Sequence, residues 1–115
     1  MNLPRHPDSL EFNVMECCAM CRAIVNFMHG YLSQMGDARP FHIASDLLRH
    51  FQHNTAPVIL PLNITECTFC SLFVSAERTV LEENQDAMLS CGHSARQHCK
   101  AMDSISIKLM LPPQA

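Results

Sequence analysis

Cys67, Cys70, Cys91, His93, His98 and Cys99 crowd six metal-competent side chains into 33 consecutive positions, and no other feature restricts the folding of this chain so strongly. Thiolate sulfur and imidazole nitrogen are the donors of tetrahedral zinc. In a C-x2-C pair, the two intervening residues let the backbone turn tightly and aim both sulfurs at one point. Cys67-Thr68-Phe69-Cys70 supplies such a pair, and Cys91-Gly92-His93 supplies a second, with Gly92 free to bring the backbone close to an ion. The twenty residues between the pairs suit an out-and-back excursion of two strands and a turn.

The spacing therefore predicts a zinc site drawn from Cys67, Cys70, Cys91 and His93, with Cys99 a further candidate ligand. Ser94 is a suitable cap for a short helix, "ARQHCKAM", which puts His98 and Cys99 near its first turn. The choice among Cys91, His93, His98 and Cys99 to complete the tetrahedron stays open. Two other readings compete. Unpaired cysteines are commonly buried small hydrophobes, which accounts for Cys91 and Cys99 singly but not for paired donors on both arms. A dithiol exchange pair at Cys67 and Cys70 needs positive charge or a helix N-terminus nearby, whereas Glu66 precedes the pair and a strand-like "SLFVS" follows it.

From Cys67-x2-Cys70 through Leu89-Ser-Cys91-Gly-His93 to Cys99-Lys-Ala-Met102, the chain resembles the first half of a RING-type or treble-clef zinc finger over residues 67–102. The resemblance implies zinc ligation by the matching Cys67, Cys70, Cys91, His93 and Cys99, and recruitment of a ubiquitin-conjugating enzyme. Met102 stands where that family has a cysteine, and no final cysteine pair follows, so the segment provides for one zinc rather than two.

Upstream, the pattern is helical. Leu10, Val14, Cys17, Cys21, Ile24, Val25, Met28 and Leu32 share one arc of a helix expected from Ser9, its cap, to about Met35. Cys17 and Cys21 lie along the centre of that stripe and Cys18 at its edge, so all three are expected as core. In the alternative, Cys18 and Cys21 join His98 or Cys99 in a second or shared site. A second helix is expected after Asp37, with Pro40 in its first turn and Ile43, Ala44, Leu47, Leu48 and Phe51 on one face, until "HNTAP" breaks it. His50 and His53 are expected at the surface. After Pro57, "VILPLNI" reads as an edge strand, and "SLFVS" and "AMLSC" as further strands. "ERTVLEENQD" reads as a strand and turn or a short helix. "SISIKLML" alternates as a half-buried strand, stopped by Pro112-Pro113.

The expected fold is thus α+β in one domain, 1–115. An irregular lead-in, 1–8, precedes an antiparallel helical pair, 9–54, which packs on a small zinc-stabilised β-rich half, 57–115, with a short helix and a C-terminal strand. A net charge of −3 without a cluster of Lys or Arg argues against nucleic acid, whose binding draws on neutralised phosphates. No apolar run approaches the roughly 18 residues of a membrane span. No basic region followed by an apolar one marks a signal peptide, so an intracellular setting is expected. No H-E-x-x-H occurs, and thiol-rich ligand sets belong to closed structural sites. Charged residues make up only 17% against 48% hydrophobic, which leaves surface for a protein partner or for self-association through the apolar helical half. The function expected is that of a zinc-binding interaction module, an adaptor or accessory subunit of viral or regulatory kind.

Overall fold

The computed structural model describes residues 10–30, 39–52 and 56–110. The expected lead-in, the Ser9 cap, the stop at Gly36, Asp37, His53 and the Pro112-Pro113 stop lie outside them. Strand β1 (Leu10–Phe12) leads into helix α1 (Val14–Gly30). Helix α2 (Arg39–Phe51), strand β2 (Val58–Leu60), helix α3 (Ile64–Leu81), a 3₁₀ turn (Glu82–Asn84) and helix α4 (Ala95–Met110) follow. The strands pair antiparallel, Leu10 with Leu60, Glu11 with Ile59 and Phe12 with Val58, and Pro61 follows directly where the ladder ends.

Three of the helices begin with the same device. At Asn13 the side-chain oxygen accepts from the Glu16 amide (2.7 Å), while the Glu16 carboxylate accepts from the Asn13 amide (2.9 Å). Asn63 and Glu66 repeat the exchange at α3, and Ser94 and Gln97 repeat it at α4. Each reciprocal pair satisfies two of the amides that a helix start leaves without partners. The first helix therefore starts at Val14, after a strand, rather than at Ser9.

Helix α1 packs against α2, α3 and α4. The shared core contains Phe12, Met20, Ile24, Leu47, Phe51, Leu62, Phe73, Val74, Met102 and Ile105. Burying each such large side chain contributes about 1.5–3 kcal/mol. Phe12 meets Phe51 edge to face, with ring centroids 5.1 Å apart. Two buried carboxylates clamp the helices together. Glu77 of α3, 4% exposed, accepts from Arg22 Nε (3.1 Å) and Asn26 Nδ2 (2.8 Å) of α1. Glu16 of α1, 1% exposed, accepts from Lys108 Nζ of α4 (2.6 Å), and the same ammonium lies over the Phe12 ring. Burial works to raise the Glu16 pKa, but hydrogen bonds from Lys108 and Asn13 outweigh it and hold the carboxyl below its ordinary range.

The β-rich second half is not what forms. Helices account for 74% of the described residues, and the only sheet among them is the two-stranded β1–β2 pair. "VIL" is a strand as expected, but "SLFVS" lies inside α3, "SISIKLM" is the continuation of α4, and "AMLSC" contributes one isolated bridge, Met88 to Ser94. The residues between Cys70 and Cys91 are not a hairpin; they are the rest of α3, the 3₁₀ turn and a loop. Burial explains both corrections. Cys70, Phe73, Val74, Glu77 and Leu81 recur at intervals of three and four on the inner face of α3. Ala95, His98, Cys99, Met102 and Ile105 do the same on α4. Ile105 is fully buried while Ile107 is 60% exposed, so the two do not share the side that a strand would have given them.

Candidate metal centre

Between the 3₁₀ turn and α4 the chain makes a tight knuckle. The Leu89 amide donates to the His93 carbonyl (2.8 Å), and the Gly92 amide donates back to the Leu89 carbonyl (2.9 Å). Gly92 has φ of +94°, a conformation open to glycine and strained for other residues. This reversal brings the Cys91 and His93 side chains together, with Cys91 Sγ 3.5 Å from His93 Nδ1. Ser94 then caps α4, whose start is tied back to the loop by Ala95 N to Ala87 O (2.8 Å) and Arg96 N to Gln85 O (2.9 Å).

The first turn of α4 presents His98, which is fully buried. Its Nε2 lies 3.2 Å from His93 Nδ1 and 3.5 Å from Cys91 Sγ. From the opposite side α1 brings in Cys18, whose Sγ is 3.6 Å from His93 Nδ1. The donor atoms of Cys18, Cys91, His93 and His98 all lie within 4.8 Å of one another, and together they are placed to hold a metal ion.

The electrostatics of the group follow from packing donors against donors. Burial, then the neighbouring Cys91, pushes the Cys18 thiol up to about 11. Burial, then His93 and Arg22, pushes His98 down to about 4, so its imidazole is neutral at physiological pH. A divalent cation favours both ligating forms, thiolate and neutral imidazole. Among the described residues, Nδ1 of His98 is buried without a hydrogen-bond partner. Arg22, one turn beyond Cys18, links the centre to its surroundings, since it pairs with buried Glu77 and its Nη1 reaches Ser90 Oγ (3.4 Å) beside Cys91.

Of the residues expected as ligands, Cys91 and His93 come together here, and Cys67, Cys70 and Cys99 are not in the group. Cys67 and Cys70 are a turn apart near the start of α3, the first half-buried and the second in the core. Burial first, then Glu66 for Cys67, and Cys67 followed by Glu66 for Cys70, raises both thiols, the reverse of what dithiol exchange requires. Cys99 follows His98 by one helical position and points into the core, 3% exposed. The alternative that joined Cys18 to His98 comes nearest to the observed set, although Cys21 is not part of it. Two signals marked these residues. Cys18 sits off the centre of the apolar stripe, and the Ser94–Gln97 cap fixes His98 in the first turn beside the C-x-H pair.

Among the described residues no helix is long and apolar enough to cross a membrane. No protein-family model, curated protein or solved structure matches this chain.

Proposed function

We propose that this protein is a small zinc-binding interaction module, in which Cys18, Cys91, His93 and His98 hold one structural zinc ion. The observation that carries the reading is the spacing of the donors. Around a tetrahedral zinc with ordinary bond lengths, sulfur and nitrogen ligands stand about 3.6 Å apart and two nitrogens about 3.3 Å apart. Three of the four sulfur–nitrogen separations here are 3.5, 3.5 and 3.6 Å, the fourth, Cys18 to His98, lies within the 4.8 Å of the group, and the nitrogen pair is 3.2 Å apart. Two thiolates and two imidazoles are a common structural zinc set, and four protein donors leave no position for a reactive water. The ion would join α1, the knuckle and the start of α4, with binding coupled to folding on the order of 10 kcal/mol.

The interaction role rests on what the fold leaves uncovered. Ile64 is 76% exposed, Met110 75% and Met88 70%, on a chain whose charged content is only 17%. Such side chains favour docking to a protein partner or to a second copy. Met88 opens the knuckle, so a partner seated there would also feel the metal.

Metal analysis of the purified, reduced protein tests the central claim. One zinc per chain, removed by a strong chelator with a fall in thermal stability, is the expected result. A folded protein that takes up no metal rules it out. Light scattering across a concentration series, with Met88→Ser and Met110→Ser beside the parent chain, tests self-association.

A further inference from the structure

We propose that Cys18 and Cys91 are also a redox pair, joined into a disulfide by hydroperoxides with ejection of the metal, so that the centre is an oxidant-sensitive switch. This deepens the zinc reading and rests on it. The two sulfurs belong to different elements, a helix and a turn, and their separation lies within the 4.8 Å that spans the whole group. A disulfide requires about 2.05 Å between sulfurs, so closure needs a short displacement of one side chain. Cys91, in a turn of a few residues, is the member placed to move against the anchored α1.

Exposure within the centre is lopsided. His98 is fully buried, whereas Cys91 is exposed and Cys18 is half-buried. Both sulfurs border an open cleft of about 410 Å³, shared with Cys21, Arg22 and Ser90. A small oxidant therefore meets the sulfur side of the centre and not the His98 side. The competing thiols of the core are shielded, since Cys17, Cys70 and Cys99 are 2%, 1% and 3% exposed. Cys21 and Cys67 are half-buried like Cys18, and Cys91 alone among the seven thiols is exposed, so oxidation is directed first to Cys91.

The chemistry balances with a hydroperoxide as the oxidant. The Cys91 thiolate attacks the peroxide, the O–O bond breaks, an alkoxide or hydroxide leaves and takes a proton from water, and Cys91 becomes a sulfenic acid. The Cys18 thiolate attacks that sulfur, the S–S bond forms, the S–O bond breaks and hydroxide leaves. Two electrons pass from the sulfurs to the peroxide. The divalent ion, left with two neutral imidazoles in place of four ligands, dissociates. A dithiol reductant reverses the crosslink and restores the site.

The test begins with the reduced full chain loaded with zinc and its zinc content counted. Hydrogen peroxide is then added in stoichiometric amount, zinc release is followed with a metallochromic dye, and crosslinks are mapped by mass spectrometry of non-reduced peptides. Release in step with a Cys18–Cys91 crosslink, and rebinding after dithiothreitol, are expected. Cys21→Ser, which keeps all four ligands, should release and crosslink as the parent does. Retained zinc, a sulfinic acid on Cys91 without a crosslink, or a Cys18–Cys21 disulfide would each overturn the switch. A reduced chain that binds no zinc at the first step overturns the metal reading as well; zinc uptake without release sinks the switch alone.

Discussion

Cys18 Sγ and His93 Nδ1 lie 3.6 Å apart although 75 positions separate them in the chain. The contact closes the group across the whole fold, because α1, the knuckle and α4 must all be in place before four donors can converge. On the zinc reading, metal binding and tertiary packing would be one event, and the substitutions of the four proposed ligands divide accordingly. Cys18→Ser and His98→Ala are expected to abolish stoichiometric metal binding. Cys67→Ser and Cys70→Ser should retain it, with Cys70→Ser lowering stability by about 1–3 kcal/mol for a hydroxyl placed in the core. Metal per chain by elemental analysis separates the two pairs. Loss of metal in Cys67→Ser would return the centre to the start of α3.

Arg22 supports the centre without being a ligand. Arg22→Ala leaves the Glu77 carboxylate buried with Asn26 as its remaining partner among the described residues, which should lower stability by about 3 kcal/mol. Through Ser90 the same change loosens the knuckle, so metal affinity should fall by about 10- to 100-fold. Denaturant titration and chelator competition measure the two effects, and unchanged affinity in a destabilised variant would confine Arg22 to the helix clamp.

Gly92→Ala tests the geometry of the turn. A methyl group there meets nothing within 4 Å among the described residues, so the penalty comes from the backbone at φ of +94° and not from collision. About 1–2 kcal/mol is expected, appearing mainly as weaker metal binding because Cys91 and His93 flank the strained residue. Equal affinity in the variant would show that the knuckle relaxes without moving its donors.

Glu16 sets an acid limit on the metal-free fold. Its pKa in the folded chain lies below the ordinary 4.5, so the unfolded chain binds the proton more readily. The Glu16–Lys108 contribution is therefore present in full above about pH 4.5 and is lost as the pH falls through the depressed folded value. Glu16→Gln should be less stable than the parent at neutral pH and show a flatter acid limb. Parallel acid limbs in thermal melts would remove Glu16 from the account.

Much of the helical framework was legible in residue order, more than was taken from it. Asn13-x-x-Glu16, Asn63-x-x-Glu66 and Ser94-x-x-Gln97 are local signals, decided within one turn by backbone amides that need partners. Of these three, only Ser94 is read from the sequence as a cap, and its helix is expected to stop at Met102 because "SISIKLML" alternates as a half-buried strand does. In α3 the stripe was hidden by Glu77, a carboxylate at a core position. Its burial makes sense only once Arg22 and Asn26, about fifty positions away, stand opposite it.

Residue order by itself determined the chemistry available to this protein, namely thiols and imidazoles in abundance, a glycine between Cys91 and His93, and capped amphipathic helices. These are short-range properties, fixed by side-chain type and by spacing of a few residues. Which four donors meet was decided only by the tertiary structure. The angle at which α1 packs against the knuckle and α4 selects Cys18 and His98 and leaves Cys67, Cys70 and Cys99 elsewhere. That angle is set by buried apolar surface and by helix-to-helix ion pairs such as Glu16–Lys108 and Arg22–Glu77, between residues far apart in the chain, and spacing along a sequence carries no record of it.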